Sequence, residues 1–135
     1  MTKQRPFVSV ILTTYYRPAM LREAVSSFRT QTYSNIELII VNNGATPETV
    51  SYLLELEKEE PRVKLVHFET NQFSWEDIGM SIRVAYNAGL RAAKGELVFH
   101  QDDDDWVASD YIERMVSLFE GNPECTTAIG RCVSA

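Results

Sequence analysis

Residues 36–54 read Ile36-Glu-Leu-Ile-Ile-Val-Asn-Asn-Gly-Ala-Thr-Pro-Glu-Thr-Val-Ser-Tyr-Leu-Leu54. Ile36 to Val41 is short, almost wholly apolar and rich in branched side chains, the signature of a strand buried on both faces. Thr46-Pro47-Glu48 then offers an N-cap, a proline at the first helical position and an acid in the first turn. Val50, Leu53 and Leu54 follow at helical spacing. A doubly buried strand that leads into a capped amphipathic helix is half of a βαβ unit, so this stretch points to a parallel sheet.

The same alternation extends in both directions. Phe7 to Leu12 repeats the buried-strand pattern, and Pro18 opens a helix in which Leu21, Val25 and Phe28 share a face. Val63 to Phe68 predicts a third strand. Ser74 and Asp77 have the spacing of a capping box, and Ile78, Ile82, Ala85, Gly89 and Ala92 mark a helix face. Gly95 is placed for a left-handed helix end, and Glu96 to His100 reads as a fourth strand. Ile112, Met115, Val116 and Phe119 define a last helix, stopped by Gly121-Asn122-Pro123, and Thr126 to Val133 is expected as a fifth strand. The expectation is one α/β domain over residues 1–135, a mostly parallel sheet with helices on both faces.

Composition narrows the function. The chain has 13 basic and 19 acidic residues and a net charge of −6, which argues against a nucleic-acid-binding face. It shows neither an apolar run of membrane-spanning length nor the pattern of a signal peptide. Cys125 and Cys132 suit neither a metal site nor a disulfide framework; they are expected as buried thiols in a reducing, cytoplasmic setting.

In open parallel sheets, ligands bind beyond the carboxyl ends of the strands. Past the four predicted strands come Thr13-Thr14-Tyr15-Tyr16-Arg17, Asn42-Asn43-Gly44, Glu69-Thr70-Asn71 and Gln101-Asp102-Asp103-Asp104-Asp105-Trp106. Parallel strands point the same way, so all four polar clusters fall on one edge. Four consecutive aspartates repel one another, and a divalent cation relieves that repulsion; an oxygen-only donor set suits Mg²⁺ or Mn²⁺. A solvated acidic turn is the competing explanation. An EF-hand does not fit, because the loop lacks the glycine required at the sixth position.

Val8-Ser-Val-Ile-Leu-Thr-Thr-Tyr-Tyr-Arg-Pro18, Gln31-Thr-Tyr-Ser-Asn-Ile-Glu-Leu-Ile-Ile-Val-Asn-Asn-Gly44, Ala85-Tyr-Asn-Ala-Gly-Leu-Arg-Ala-Ala-Lys-Gly95 and Asp102-Asp-Asp-Asp-Trp106 together resemble family 2 glycosyltransferases. The resemblance runs from about Val8 to Cys132. It implies a GT-A fold, a Rossmann-like three-layer α/β/α arrangement whose amino-terminal half binds a nucleoside-diphosphate sugar. By resemblance, Thr14 and Tyr15 lie beside base and ribose, and Asn43 stands where an acid usually reads the nucleobase. Asp102 matches the D-x-D carboxylate near ribose and diphosphate, with Asp103 beside it. Asp104 matches the ligand of a Mg²⁺ or Mn²⁺ ion, with Asp105 adjacent. Asn71 and Arg17 complete the expected donor contacts, Arg17 being assigned equally to holding a phosphate or to pairing with an acid.

The pattern also departs from the family. Thr13 replaces a proline, Tyr16 an asparagine, Asn42-Asn43 an acidic pair, Tyr86 an arginine and Gln101 an apolar residue. An amide both donates and accepts where a carboxylate only accepts, so the family's usual uridine preference does not carry over to Asn43. Inverting sugar transfer needs a general base for the acceptor hydroxyl. The family places that acid far beyond D-x-D, and Glu113, Glu120 and Glu124 read as exposed helix and turn residues. The expectation is therefore the donor half of a transferase that acts on a glycan or lipid-linked acceptor in surface-glycan synthesis. A non-catalytic nucleotide-binding or interaction module with the same fold is the alternative. A phosphoacceptor receiver would need an acidic pair where Thr13-Thr14 stands, and no dinucleotide or P-loop glycine fingerprint follows strand one. His67 and His100 are expected to be structural. Trp106 is assigned equally to stacking or to core packing, and Phe73 with Trp75 to a hydrophobic staple ahead of the alternative, part of a mobile donor-site lid.

Overall fold

The computed structural model describes residues 4–131. Eight elements alternate along it: β1 (Val8–Thr14), α1 (Pro18–Arg29), β2 (Ile36–Asn43), α2 (Pro47–Glu59), β3 (Val63–Phe68), α3 (Ile78–Ala92), β4 (Leu97–Asp102) and α4 (Tyr111–Gly121). The four strands form one parallel sheet in the order β3-β2-β1-β4, so the chain reverses its direction of travel across the sheet between β1 and β4. Among the described residues no helix is long and apolar enough to cross a membrane.

The two central strands are buried on both faces, as their largely apolar sequences require. Val8, Val10 and Leu12 of β1 pack with Leu38 and Ile40 of β2 against Leu21, Val25 and Phe28 of α1, Leu53 and Leu56 of α2, and Ile112 and Val116 of α4. Ile11 and Val41 face the other way, onto Ala85 of α3. Three layers result, the far one built from a single helix. That helix comes close because Gly89 has no side chain: a Cβ there would lie 2.4 Å from Ile11 Cγ2. Phe28, fully enclosed, is the largest single contributor by volume; its truncation to alanine costs about 3–5 kcal/mol.

Several expectations are corrected. β1, β2 and β4 each run two residues past their apolar stretch, because Thr13, Thr14, Asn42, Asn43, Gln101 and Asp102 keep the ladder going through backbone pairing that polarity does not disturb. The buried stripe of α2 is Thr49, Leu53 and Leu56, with Leu54 exposed. On α3, Ser81, Ala85 and Gly89 are buried, whereas Ile78 and Ile82 are exposed. Asp77 is itself the α3 cap and accepts the Met80 N–H at 2.8 Å, so it does not act as the far partner of a capping box. α3 stops at Ala92, and Gly95 serves a close approach: a Cβ there would sit 2.5 Å from the Ser9 nitrogen. Residues 126–131 form no strand, and Cys125 is half-buried. Cys132 and Val133 lie outside the described residues.

Candidate functional site

Register builds the first half of the site. Thr13 of β1 pairs with Asp102 of β4, so the loops that leave these strands start side by side. After Asp102 the chain turns tightly: the Asp105 N–H donates to the Asp102 carbonyl at 3.1 Å, and the Asp102 N–H donates to Asp105 Oδ2 at 3.2 Å. Asp105 is thereby spent on closing the turn. Asp103 is aimed inward and is 2% exposed; its Oδ2 accepts from Thr14 Oγ1 at 2.9 Å. Arg17 reaches across, with Nη2 2.6 Å from Asp103 Oδ1 and Nη1 2.5 Å from Asp104 Oδ2. Arg17 is thus the partner of the buried Asp103 Oδ1, through a charge contact.

Burial pushes the Asp103 carboxyl above the usual carboxylate range, against the opposing pull of the Thr14 hydroxyl and Arg17. Asp102 moves the other way. His100 Nε2 lies 3.3 Å from Asp102 Oδ1, and that contact lowers its pKa against the cost of burial. His100 in turn lies against Tyr86, with ring centroids 4.7 Å apart. The structure therefore places His100 at the cleft and not in the core where a buried strand end was expected. In the sequence Gln101 stands out only as a polar residue in an apolar place ahead of the aspartates. Its buried amide nitrogen donates to the Asp105 carbonyl at 3.1 Å and to Ser27 Oγ at 3.2 Å, which ties the acidic turn to α1. A lone polar residue inside an apolar strand was the signal for this role.

The loops after β2 and β3 form the other half. Asn43 Oδ1 accepts the Gln72 N–H at 2.9 Å, and Asn71 Oδ1 accepts the Phe73 N–H. Asn71 Nδ2 is buried without a partner. Gly44 has φ +67, and a Cβ on it would lie 2.2 Å from the Asn71 nitrogen; only glycine combines that backbone with that proximity. Asn42 accepts the Ala45 N–H at 2.7 Å and contacts His67 Nδ1 at 3.0 Å, so His67 is structural, as expected.

Between the halves lies a cleft of about 830 Å³. Thr14, Tyr15, Arg17, Asn43, Asn71, Asp102, Asp103 and Asp104 all border it; Asp105 does not. Its far wall is apolar, from Ile82, Phe73 and Trp75, the last two in an edge-to-face pair with centroids 4.9 Å apart. Trp75 is 83% exposed, so the expected hydrophobic staple is not formed. Trp106 is also exposed, which removes the core-packing reading.

The donor set is all oxygen on the acidic side, and its buried member, Asp103 Oδ1, is met only by the Arg17 guanidinium, a positive charge at a point that also suits a hard divalent cation. Among the described residues no three acidic, histidine or cysteine side chains are placed to hold a metal by themselves. Such partial sets are completed by water and substrate phosphate where Mg²⁺-type ions bind.

Comparison with known proteins agrees with this geometry. Glycosyl transferase family 2 matches residues 9–133. EpsH of Bacillus subtilis, which carries a glycosyltransferase name, is 34% identical over 113 residues, covering 84% of this chain and 30% of EpsH. A Campylobacter jejuni protein named GalNAc(5)-diNAcBac-PP-undecaprenol beta-1,3-glucosyltransferase is 27% identical over 128 residues, 95% of this chain and 38% of that protein. The mannosyltransferase PcManGT of Pyrobaculum calidifontis, solved in complex with GDP-Man and Mn²⁺, superposes with a TM-score of 0.72 at 26% identity, covering 87% of this chain and 33% of its own. The chain thus spans about a third of the length of these relatives. With a GT-A sheet, a polar cleft at its carboxyl edge and a family match over nearly all of its length, this chain belongs to glycosyltransferase family 2.

Proposed function

We infer that the cleft is the donor site of a metal-dependent, inverting glycosyltransferase that binds a nucleoside-diphosphate sugar. The observation that carries the reading is the joining of the β1 and β4 loops at their carboxyl ends through Thr14, Arg17, Asp103 and Asp104. PcManGT, whose bound donor is GDP-Man, supports the ligand class.

In this reading Tyr15, 40% exposed at the rim, stacks beside the base and ribose, and Asn43 presents its amide to the base edge. Asp102 accepts from the ribose hydroxyls, held in place by His100. Asp104, with the buried Asp103 oxygen beside it, would hold Mg²⁺ or Mn²⁺, and Asp105 closes the turn that carries them. When bound, such an ion neutralises charge that builds on the departing diphosphate. Arg17 adds a fixed guanidinium on the same side, suited to phosphate oxygens. Ile82, Phe73 and Trp75 exclude water from the opposite wall. The chain is assigned donor binding. The general base for the acceptor hydroxyl is left to the two-thirds of the relatives' length that this chain does not span. A glycan or lipid-linked acceptor, the synthesis of surface polysaccharide and a cytoplasmic setting belong to the same proposal, the acceptor class being supported by the undecaprenol-linked name of the Campylobacter relative.

Calorimetric titration of UDP, GDP and CDP, and of their sugar conjugates, with and without Mn²⁺ tests this. Binding of one nucleotide that requires metal and falls at least tenfold in Asp104→Ala is expected. Binding indifferent to both metal and Asp104 refutes it.

A further inference from the structure

Building on the donor-site reading, we propose that Arg17 is an internal counterion of the acidic turn: it occupies carboxylate oxygens of Asp103 and Asp104 while the site is empty and gives them up when a divalent cation enters with the nucleotide. Four consecutive aspartates leave β4, and among the described residues Asp103 and Asp104 form ion pairs with Arg17 alone. A carboxylate that is 2% exposed needs a partner to remain ionised in the fold, and Thr14 supplies only one neutral hydrogen bond. One guanidinium covers both acids with two different nitrogens, so Asp103 Oδ1 and Asp104 Oδ2 face a common point. Cation ligands must also converge on one point, and the same oxygens do not serve both occupants.

The position of Arg17 in the chain supports the same role. It is the N-cap of α1, a helix with no acid in its first turn, and a cation there is unfavourable to the helix dipole. Nothing in α1 accounts for an arginine at that place; the acidic turn does. Its side chain is 37% exposed, so it can swing away without uncovering the core. Once released it still borders the cleft, where its fork of N–H donors matches a phosphate. With one arginine against the three aspartates that border it, the empty site repels a bare diphosphate. Metal and nucleotide therefore bind cooperatively.

The test titrates Mn²⁺ without nucleotide into the wild-type chain, Arg17→Gln and Arg17→Lys. Removing the competitor is expected to tighten Mn²⁺ binding by about tenfold in Arg17→Gln, with Arg17→Lys between, since lysine is a point charge that does not span both acids. Under saturating Mn²⁺, the nucleotide that binds the wild type is expected to bind Arg17→Gln about tenfold more weakly. Without metal Arg17→Gln melts below the wild type, and Mn²⁺ closes the gap. Mn²⁺ affinity in Arg17→Gln equal to or below that of the wild type overturns the proposal. Should that variant not fold, the same comparison with Arg17→Lys decides. Nucleotide binding that survives EDTA but disappears in Arg17→Gln also overturns it, by making the arginine a permanent stand-in for the metal. If no protein binds nucleotide, the donor-site reading fails, and the Mn²⁺ ratio still decides whether Arg17 competes for the acids.

Discussion

Thr14 Oγ1 donates to Asp103 Oδ2 across 2.9 Å, and this contact fastens the end of the central strand to the turn that follows the edge strand β4. Both groups are almost fully enclosed. Thr14→Val keeps the shape and the strand preference but leaves a buried carboxylate one donor short, which costs about 1–3 kcal/mol. Urea denaturation is expected to show a lower midpoint with an unchanged slope. Thr14→Ser keeps the hydroxyl and is expected to stay within about 1 kcal/mol of wild type. Equal stability of the valine variant would mean that water satisfies Asp103.

At the opposite edge of the sheet, Glu37 is buried and organises the end of α3. Its Oε1 accepts from Ser9 Oγ at 2.7 Å and from the Lys94 N–H at 2.9 Å, and Lys64 Nζ lies 3.1 Å from Oε2. Burial alone would raise its pKa, but Ser9, Lys94 and Lys64 together hold it below the ordinary 4.5. The carboxylate therefore binds its proton more weakly in the folded chain than in the unfolded one. Its stabilising contribution is complete above about pH 4.5 and disappears as the pH falls through the lower folded value. Melting curves of wild type and Glu37→Gln should separate at neutral pH, with the variant lower, and converge in acid. Parallel curves down to pH 3 would remove Glu37 as the cause.

Elements and edge were readable in advance because branched apolar runs and helical stripes are set by burial, which composition records directly. Strand ends were underestimated for a physical reason: Asn42 and Asp102 look like loop residues, but their backbones pair regardless of side chain. The roles of individual aspartates were less legible. Spacing shows four acids in a row; which one turns inward to Thr14, which meets Arg17 and which folds back on Asp102 depends on the turn geometry. Ile82 reads as a packing residue because apolar residues usually pack, and Trp75 as a staple ahead of a donor-site lid; only the three-dimensional arrangement puts both on a cleft wall.

Gly44 couples the two loops on the base side of the cleft. Gly44→Ala introduces a Cβ at a φ of +67 and 2.2 Å from the Asn71 nitrogen, so either the turn or the loop after β3 must shift. Left-handed strain alone costs about 1–2 kcal/mol, and the clash adds to it. Nucleotide affinity is expected to fall at least tenfold while the fold persists, because Asn43 and Asn71 lose their mutual placement. Calorimetry and circular dichroism on one sample separate the two effects. Unchanged affinity would mean that this pair of loops does not touch the ligand.

Asn43 tests the base side most directly. Its Oδ1 is already taken by the Gln72 N–H, so the amide nitrogen, which only donates, is the group left for a base edge. A donor matches the ring nitrogen of cytosine, which accepts, and opposes the imino N–H of uracil, which donates. Asn43→Asp keeps an acceptor for Gln72 and replaces the donor with a second acceptor. The ratio of UDP to CDP affinity is therefore expected to rise about tenfold in the variant, the equivalent of about 1.4 kcal/mol for one exchanged hydrogen bond. Loop placement is held constant by the retained Gln72 contact, which melting curves verify. A ratio that does not move would take Asn43 out of base recognition and leave the choice of nucleotide to Tyr15 and the phosphate end of the cleft.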